Sequence, residues 1–210
     1  MGKCMVAVIR KSFGCLWFAT SLCAQDLDSK DVPREVVESA GKAVELLGKE
    51  VVAGKYQAAI DQMYPQWKER TAKRLGGMEK LEGQLRDVAS EMRRRGITIT
   101  DFRPQGEPQA FQVYPGKQIE TIGGREVESM RFTKWLVLVP TVTRFRMLLE
   151  GDPVPVNIES TGFQVAIADK GKNEWFFIDG SGIAVSDLRG LFITLPENLQ
   201  LPPIEKKQIK

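Results

Sequence analysis

The sequence has no histidine in 210 residues. That removes Ser-His-Asp and Cys-His nucleophile systems, HExxH zinc sites and every imidazole acid or base. Its three cysteines, Cys4, Cys15 and Cys23, all fall within the first 24 positions. From Gln25 onward there is therefore no thiolate, no disulfide and no soft metal ligand, and small disulfide-stapled scaffolds are excluded. The body also lacks an excess of one charge. Lys3, Arg10 and Lys11 account for the whole surplus of 30 basic over 27 acidic residues, so the chain from Gln25 is formally neutral. Nucleic acids and anionic membrane surfaces attract clustered Lys and Arg, which such a body does not supply. No apolar run approaches the ~20 residues that cross a bilayer as a helix. Internal repeats and low-complexity linkers are missing too. What remains is an ordinary globular composition, 42% hydrophobic and 27% charged, long enough to bury a core without staples.

The three leading cations precede an uncharged stretch, residues 12–24, that contains Phe13, Leu16, Trp17, Phe18 and Leu22 and ends Leu22-Cys23-Ala24 before Gln25. This pattern reads as a signal peptide cleaved near Ala24/Gln25, and it predicts a periplasmic or secreted protein with no membrane span after cleavage. Neither Cys15 nor Cys23 follows the small residues of a lipidation site, and Val6 stands where the myristoylation pattern wants Ser or Thr. The expected organisation is a leader over 1–24, one domain over 25–194 and an extended, proline-containing tail over 195–210.

In the body, Asp31 and Pro33 make a helix start, with Val36, Val37, Ala40, Val44, Leu47 and Val51 at helical spacing and Gly54 as a stop. A second helix is expected over 55–64, with Tyr56, Ala59, Ile60 and Met63 on one face, ending at Pro65 or followed by a new segment there. After a polar segment and Gly76-Gly77, the stripe Met78, Leu81, Leu85, Val88 and Met92 predicts an amphipathic helix that ends at a left-handed Gly96. From Ile97 the period changes to two. Strands are expected at 97–102, 109–114, 117–122, 127–139, 141–149, 156–168 and 174–178, with a short helix over 186–192. Gly123-Gly124 and residues 169–173 read as hairpin turns, and Pro140 as a bulge or sharp bend. Helices first and strands afterwards give an α+β fold, in which N-terminal helices cover one face of a long, curved antiparallel sheet.

Two sets of residues carry a family resemblance. The stretch Gly54-Lys55-Tyr56-Gln57-Ala58-Ala59-Ile60-Asp61 resembles the short turn, aromatic residue and small-apolar helix between the first two helices of the nuclear transport factor two-like superfamily, whose members are cone-like α+β rolls. Phe163-Gln164-Val165-Ala166-Ile167 and Trp175-Phe176-Phe177-Ile178-Asp179 are similar to its last two strands. The resemblance implies a cone with a mouth between helices and sheet. It also implies either a binding or assembly module or a ketosteroid isomerase-like or dehydratase-like enzyme, the fold itself being neutral between them.

Within such a cone, Tyr56, Asp61, Tyr64 and Trp67 are the helical residues nearest a pocket, an aromatic mouth with a few polar groups. The packing alternative makes the tyrosines core residues and Trp67 a helix-packing cap. An enzyme of this kind would use Asp61 as base, buried among apolar groups, with Tyr56 or Tyr64 as hydrogen-bond donor. On the strands, Arg144 and Arg146 share a face, with Arg131 nearby, and suit a carboxylate or phosphate. The alternative pairs them across strands with Glu126, Glu128 or Glu159. Arg93-Arg94-Arg95 suits the end of a helix dipole, Asp179-Gly180-Ser181-Gly182 a turn, and Glu126 with Glu128 a strand edge. The sequence names no cofactor and no metal. Its leading expectation is a secreted or periplasmic, non-enzymatic domain that binds a small apolar molecule or a protein partner, a second copy of itself in a homodimer included. An isomerase-like enzyme and an envelope assembly module using an open sheet face are the alternatives.

Overall fold

The computed structural model describes residues 32–148 and 154–209. The expected leader and the Asp31 cap lie outside the described residues. The fold is α+β, with five α-helices and a six-stranded antiparallel sheet among them.

Helix α1 spans Arg34–Val52 and buries Ala40, Val44 and Leu47, the inward stripe of its apolar positions. It stops where Gly54 takes φ 76°. Helix α2, Gln57–Asp61, is a single short turn, and α3 runs over Pro65–Leu75 with proline in its first turn and left-handed Gly76 at its end. The expected helix over 55–64 is thus much shorter, and the polar segment after it is itself a helix. Its charged residues are good helix formers, but only Trp67 and Ala72 face inward, so the apolar period that marks a helix is faint there. Helix α4, Met78–Arg94, matches expectation and ends at Gly96 with φ 62°.

Strand β1 is Thr98–Pro104, β2 Gln109–Ile122, β3 Arg125–Met147, β4 Val156–Asp169, β5 Phe176–Asp179 and β6 Glu205–Ile209. The centre of the sheet is β3 beside β4. On the outer side of β3, β1 pairs with its second half and β2 with its first. On the outer side of β4, β6 pairs with its first half and β5 with its second. The β2–β3 hairpin turns at Gly123-Gly124, both left-handed at φ 58° and 79°, as the sequence predicts.

Two strands expected on either side of Pro140 are one continuous strand, and the β3–β4 register passes through Pro140 opposite Phe163 without a shift. The expected bulge is absent for a local reason. In an antiparallel strand the N–H and C=O of one residue point to the same side, and the Pro140 carbonyl accepts from the Gln105 N–H at 2.9 Å. The missing N–H therefore faces the connection between β1 and β2, where no ladder bond is needed.

Alternation along the strands divides the core in two. On one face, Ala110, Val137, Val139, Ala166 and Ala168 pack under Ala40, Val44 and Leu47 of α1. On the other, Val113, Leu136, Leu138, Phe163, Val165 and Ile167 lie under Ile183, Leu188, Phe192, Leu195 and Leu199. The C-terminal segment, with helix α5 at Val185–Leu191, thus covers the second face. This corrects the expectation that helices cover one face only. The tail is docked: Leu195 and Leu199 are buried, and residues 205–209 form β6.

Candidate functional site

The chain changes faces at the edge of β5. The Tyr64 N–H donates to the Phe177 carbonyl at 2.9 Å and the Phe177 N–H to the Gln62 carbonyl at 2.8 Å, which forms a parallel bridge between Met63 and Phe177. Met63 and the residues before it stay over the α1 face, Tyr64 and Trp67 just after the bridge pack into the second core, and α4 returns to the α1 side.

The four helical candidates separate accordingly. Tyr64 is 4% exposed in the second core, its ring centroid 5.6 Å from that of Phe192, and Trp67 packs against the same cluster with the Arg74 guanidinium 5.0 Å from its ring. Burial, reinforced by the nearby Tyr114 and Asp169, pushes the Tyr64 hydroxyl up to about 12. Tyr56 remains on the α1 side. Asp61 is exposed and accepts from Gln57 Nε2 at 2.8 Å, one turn earlier. The carboxylate, Tyr56 and Tyr64 do not converge, so the base-and-donor arrangement of an isomerase-like site is not formed by these residues.

The strand candidates follow the pairing alternative. Arg144 Nε lies 2.9 Å from Glu159, its direct cross-strand neighbour, and Lys207 of β6 lies 2.8 Å from the other carboxylate oxygen. Hydrogen bonds from Lys207 and Arg144 hold the Glu159 carboxyl below the usual range. Arg146 is exposed on the same face, and Arg131 pairs with Glu120 out on the β2–β3 hairpin. Glu128 meets Lys117 at 2.6 Å, and Arg94 and Arg95 close on Glu91 at the end of α4. Arg144 and Arg131 are thus engaged by carboxylates on neighbouring strands rather than set side by side for an external anion.

Tyr56 instead belongs to a cavity of about 320 Å³ between the α1 face of the sheet and the helices above it. Leu47 and Val51 from the end of α1 form one wall, and Ala59, Ile60 and Met63 of the α2 region form another. Helix α4 forms the roof, because its stripe Leu85, Val88, Ala89 and Met92 stands over open space rather than over packed side chains. The floor is Ile99 and Phe102 of β1, Thr143 of β3, Gln164 of β4 and Phe177 of β5. This volume lies at the lower end of the ~300–1,000 Å³ typical of small-molecule sites.

At one end sits a polar pair. Gln164 is a buried polar side chain in the run Phe163-Gln164-Val165-Ala166, and its Nε2 donates to Asp179 Oδ1 at 3.3 Å. Asp179 also accepts from the Ser181 N–H at 3.4 Å and from the Ser181 hydroxyl, which turns the chain through the 3-10 turn Gly180–Gly182. The sequence reading found this turn and the α4 stripe, but missed that both border the Tyr56 cavity. A lone glutamine inside an apolar strand was the available signal.

Beyond the sheet, residues 115–122 and 125–132 continue as a two-stranded ribbon past the start of the β3–β4 pairing at Lys134 and Asp169. Ile119, Ile122, Val127 and Met130 are exposed along it. At its base Tyr114 takes φ 63°, Thr133 Oγ1 donates to the Tyr114 carbonyl at 2.8 Å, and Lys170 Nζ stands 4.2 Å from the Trp135 ring. Burial lowers the Lys170 ammonium from its ordinary value. Among the described residues, helices and the C-terminal segment cover the two apolar clusters of the sheet, and the large apolar side chains exposed on β2 and β3 are those of the ribbon. Among the described residues no helix is long and apolar enough to cross a membrane, and no three Asp, Glu, His or Cys side chains are grouped to hold a metal. No protein-family model, no curated protein and no solved structure matches this chain.

Proposed function

We propose that the protein is a non-enzymatic binding domain whose cavity under α4 takes a small apolar molecule. The observation that carries this reading is the roof. An amphipathic helix ordinarily buries its apolar stripe in close-packed core, because each void forfeits dispersion contacts. Here Leu85, Val88, Ala89 and Met92 face a cavity of about 320 Å³ whose lining is mostly apolar. A ligand that fills it supplies the missing contacts. With residues 1–24 as an export leader, the domain works in the periplasm or outside the cell. The roll-like arrangement of N-terminal helices over an antiparallel sheet supports kinship with the nuclear transport factor two-like superfamily, with a second helical cover added by the C-terminal segment.

The test is binding of N-phenyl-1-naphthylamine, a neutral dye that brightens in apolar sites. We expect saturable binding with one site per chain, abolished by Ala89→Trp, which fills the cavity from its roof, while near-UV circular dichroism stays native. Dye binding that survives Ala89→Trp unchanged, or no binding by the natively folded protein, overturns the reading.

A further inference from the structure

We infer that the cavity selects amphiphiles with a hydrogen-bond-donating, uncharged or cationic head group and rejects carboxylates; this rests on the binding reading above. The selection comes from the polar pair at its end. A carboxylate only accepts hydrogen bonds, so the Gln164 amide nitrogen must be the group that meets Asp179 Oδ1. The Gln164 carbonyl oxygen is then left as an acceptor, and among the described residues no donor reaches it. Asp179 adds a second acceptor, with one oxygen held by Gln164 and the Ser181 N–H and the other by the Ser181 hydroxyl, so the carboxylate is oriented rather than swinging.

Two fixed acceptors call for a donor. Tyr56 and Thr143 also line the space, but a hydroxyl can rotate to donate or accept and does not oppose that choice. Charge points the same way. Asp179 is the one charged side chain of the lining, and among the described residues no Lys or Arg lines the cavity. A bound carboxylate would place a second negative charge beside Asp179, which stands exposed at the rim of the cavity, with no cation in the lining to offset its lost hydration. An alcohol donates its O–H, and a primary ammonium donates N–H while offsetting the Asp179 charge.

The experiment compares 1-octanol, octylamine and octanoate at about pH 7 as competitors of the naphthylamine dye on the full chain. The three share one alkyl chain and differ in the head. We expect octanol and octylammonium to displace the dye at concentrations at least about tenfold below octanoate, a ratio of about 1.4 kcal/mol. In Asp179→Asn, which keeps size and an acceptor, the octylammonium advantage shrinks and octanoate gains. In Gln164→Leu, octanol weakens while the dye still reports a formed cavity. Octanoate equal to or tighter than octanol overturns the head-group inference and leaves the cavity reading standing, as does discrimination that persists unchanged in both variants. A natively folded protein that binds no dye, or a dimer that buries α4 and excludes it, overturns the cavity reading itself.

Discussion

Tyr64 shows how a single side chain reports the fold. Its hydroxyl is pushed up to about 12 by burial, whereas a tyrosine in the unfolded chain ionises near pH 10. Between those values the folded state holds a proton that the unfolded state has released, so stability falls as pH rises through this window. Equilibrium denaturation across it should show that decline in the natural protein and a flatter profile in Tyr64→Phe, which keeps the ring against Phe192 and removes the titrating group. Equal slopes for the two proteins would refute the assignment. Its core position was legible in the sequence as the packing alternative to a place in a pocket. Its side of the sheet was not. That depends on the Met63–Phe177 bridge, a contact between residues more than a hundred positions apart.

At the scale of the element, α1 contains two glycines with opposite roles. Gly41 has nothing within 4 Å of where a Cβ would stand, so Gly41→Ala should raise stability by about 1 kcal/mol through helix propensity alone. At Gly48 a Cβ would come within 2.5 Å of the Phe102 carbonyl oxygen, so Gly48→Ala should lower it by about 1–3 kcal/mol despite the same propensity gain. Chemical denaturation of the two variants checks both signs. The close approach of α1 to β1 sets how near that helix lies to the cavity floor, because Leu47 and Phe102 both line the space. Sequence periodicity located α1 and α4 well, since each carries a clear apolar stripe. It blurred α3, whose inward face is two residues wide, and split β3 at Pro140, because the sequence does not show which side of a strand needs its N–H. The α4 stripe was visible as well, but a stripe over packed core and a stripe over a cavity have the same spacing.

For the whole molecule, the α+β class and the antiparallel order followed from the change of period at Ile97. The two-sided cover did not, because the last sixteen residues resemble an extended tail by composition. Leu195 and Leu199 are buried, whereas β6 is an exposed edge strand held by the Arg144–Glu159–Lys207 cluster and its ladder to β4. Truncation after Pro203 should therefore preserve cooperative thermal unfolding at a modestly lower Tm. Truncation after Thr194 removes two buried leucines worth about 2–5 kcal/mol each, a large part of a typical total of about 5–15 kcal/mol, and should abolish it. A cooperative transition in the shorter chain would mean that the second core closes without those leucines.

The division of labour between the two faces also orders events in time. Helix α1 is made before the strands it covers, so its face can close as soon as β4 exists. The other face waits for the segment after β4, residues 170–209, which at about 5–20 residues per second takes roughly 2–8 s more to synthesise. During that interval Leu136, Leu138, Phe163 and Val165 are covered only in part, by Tyr64 and Trp67. Whether the chain emerges in order from the ribosome or on export, its second core is therefore the last part of the molecule that can be completed.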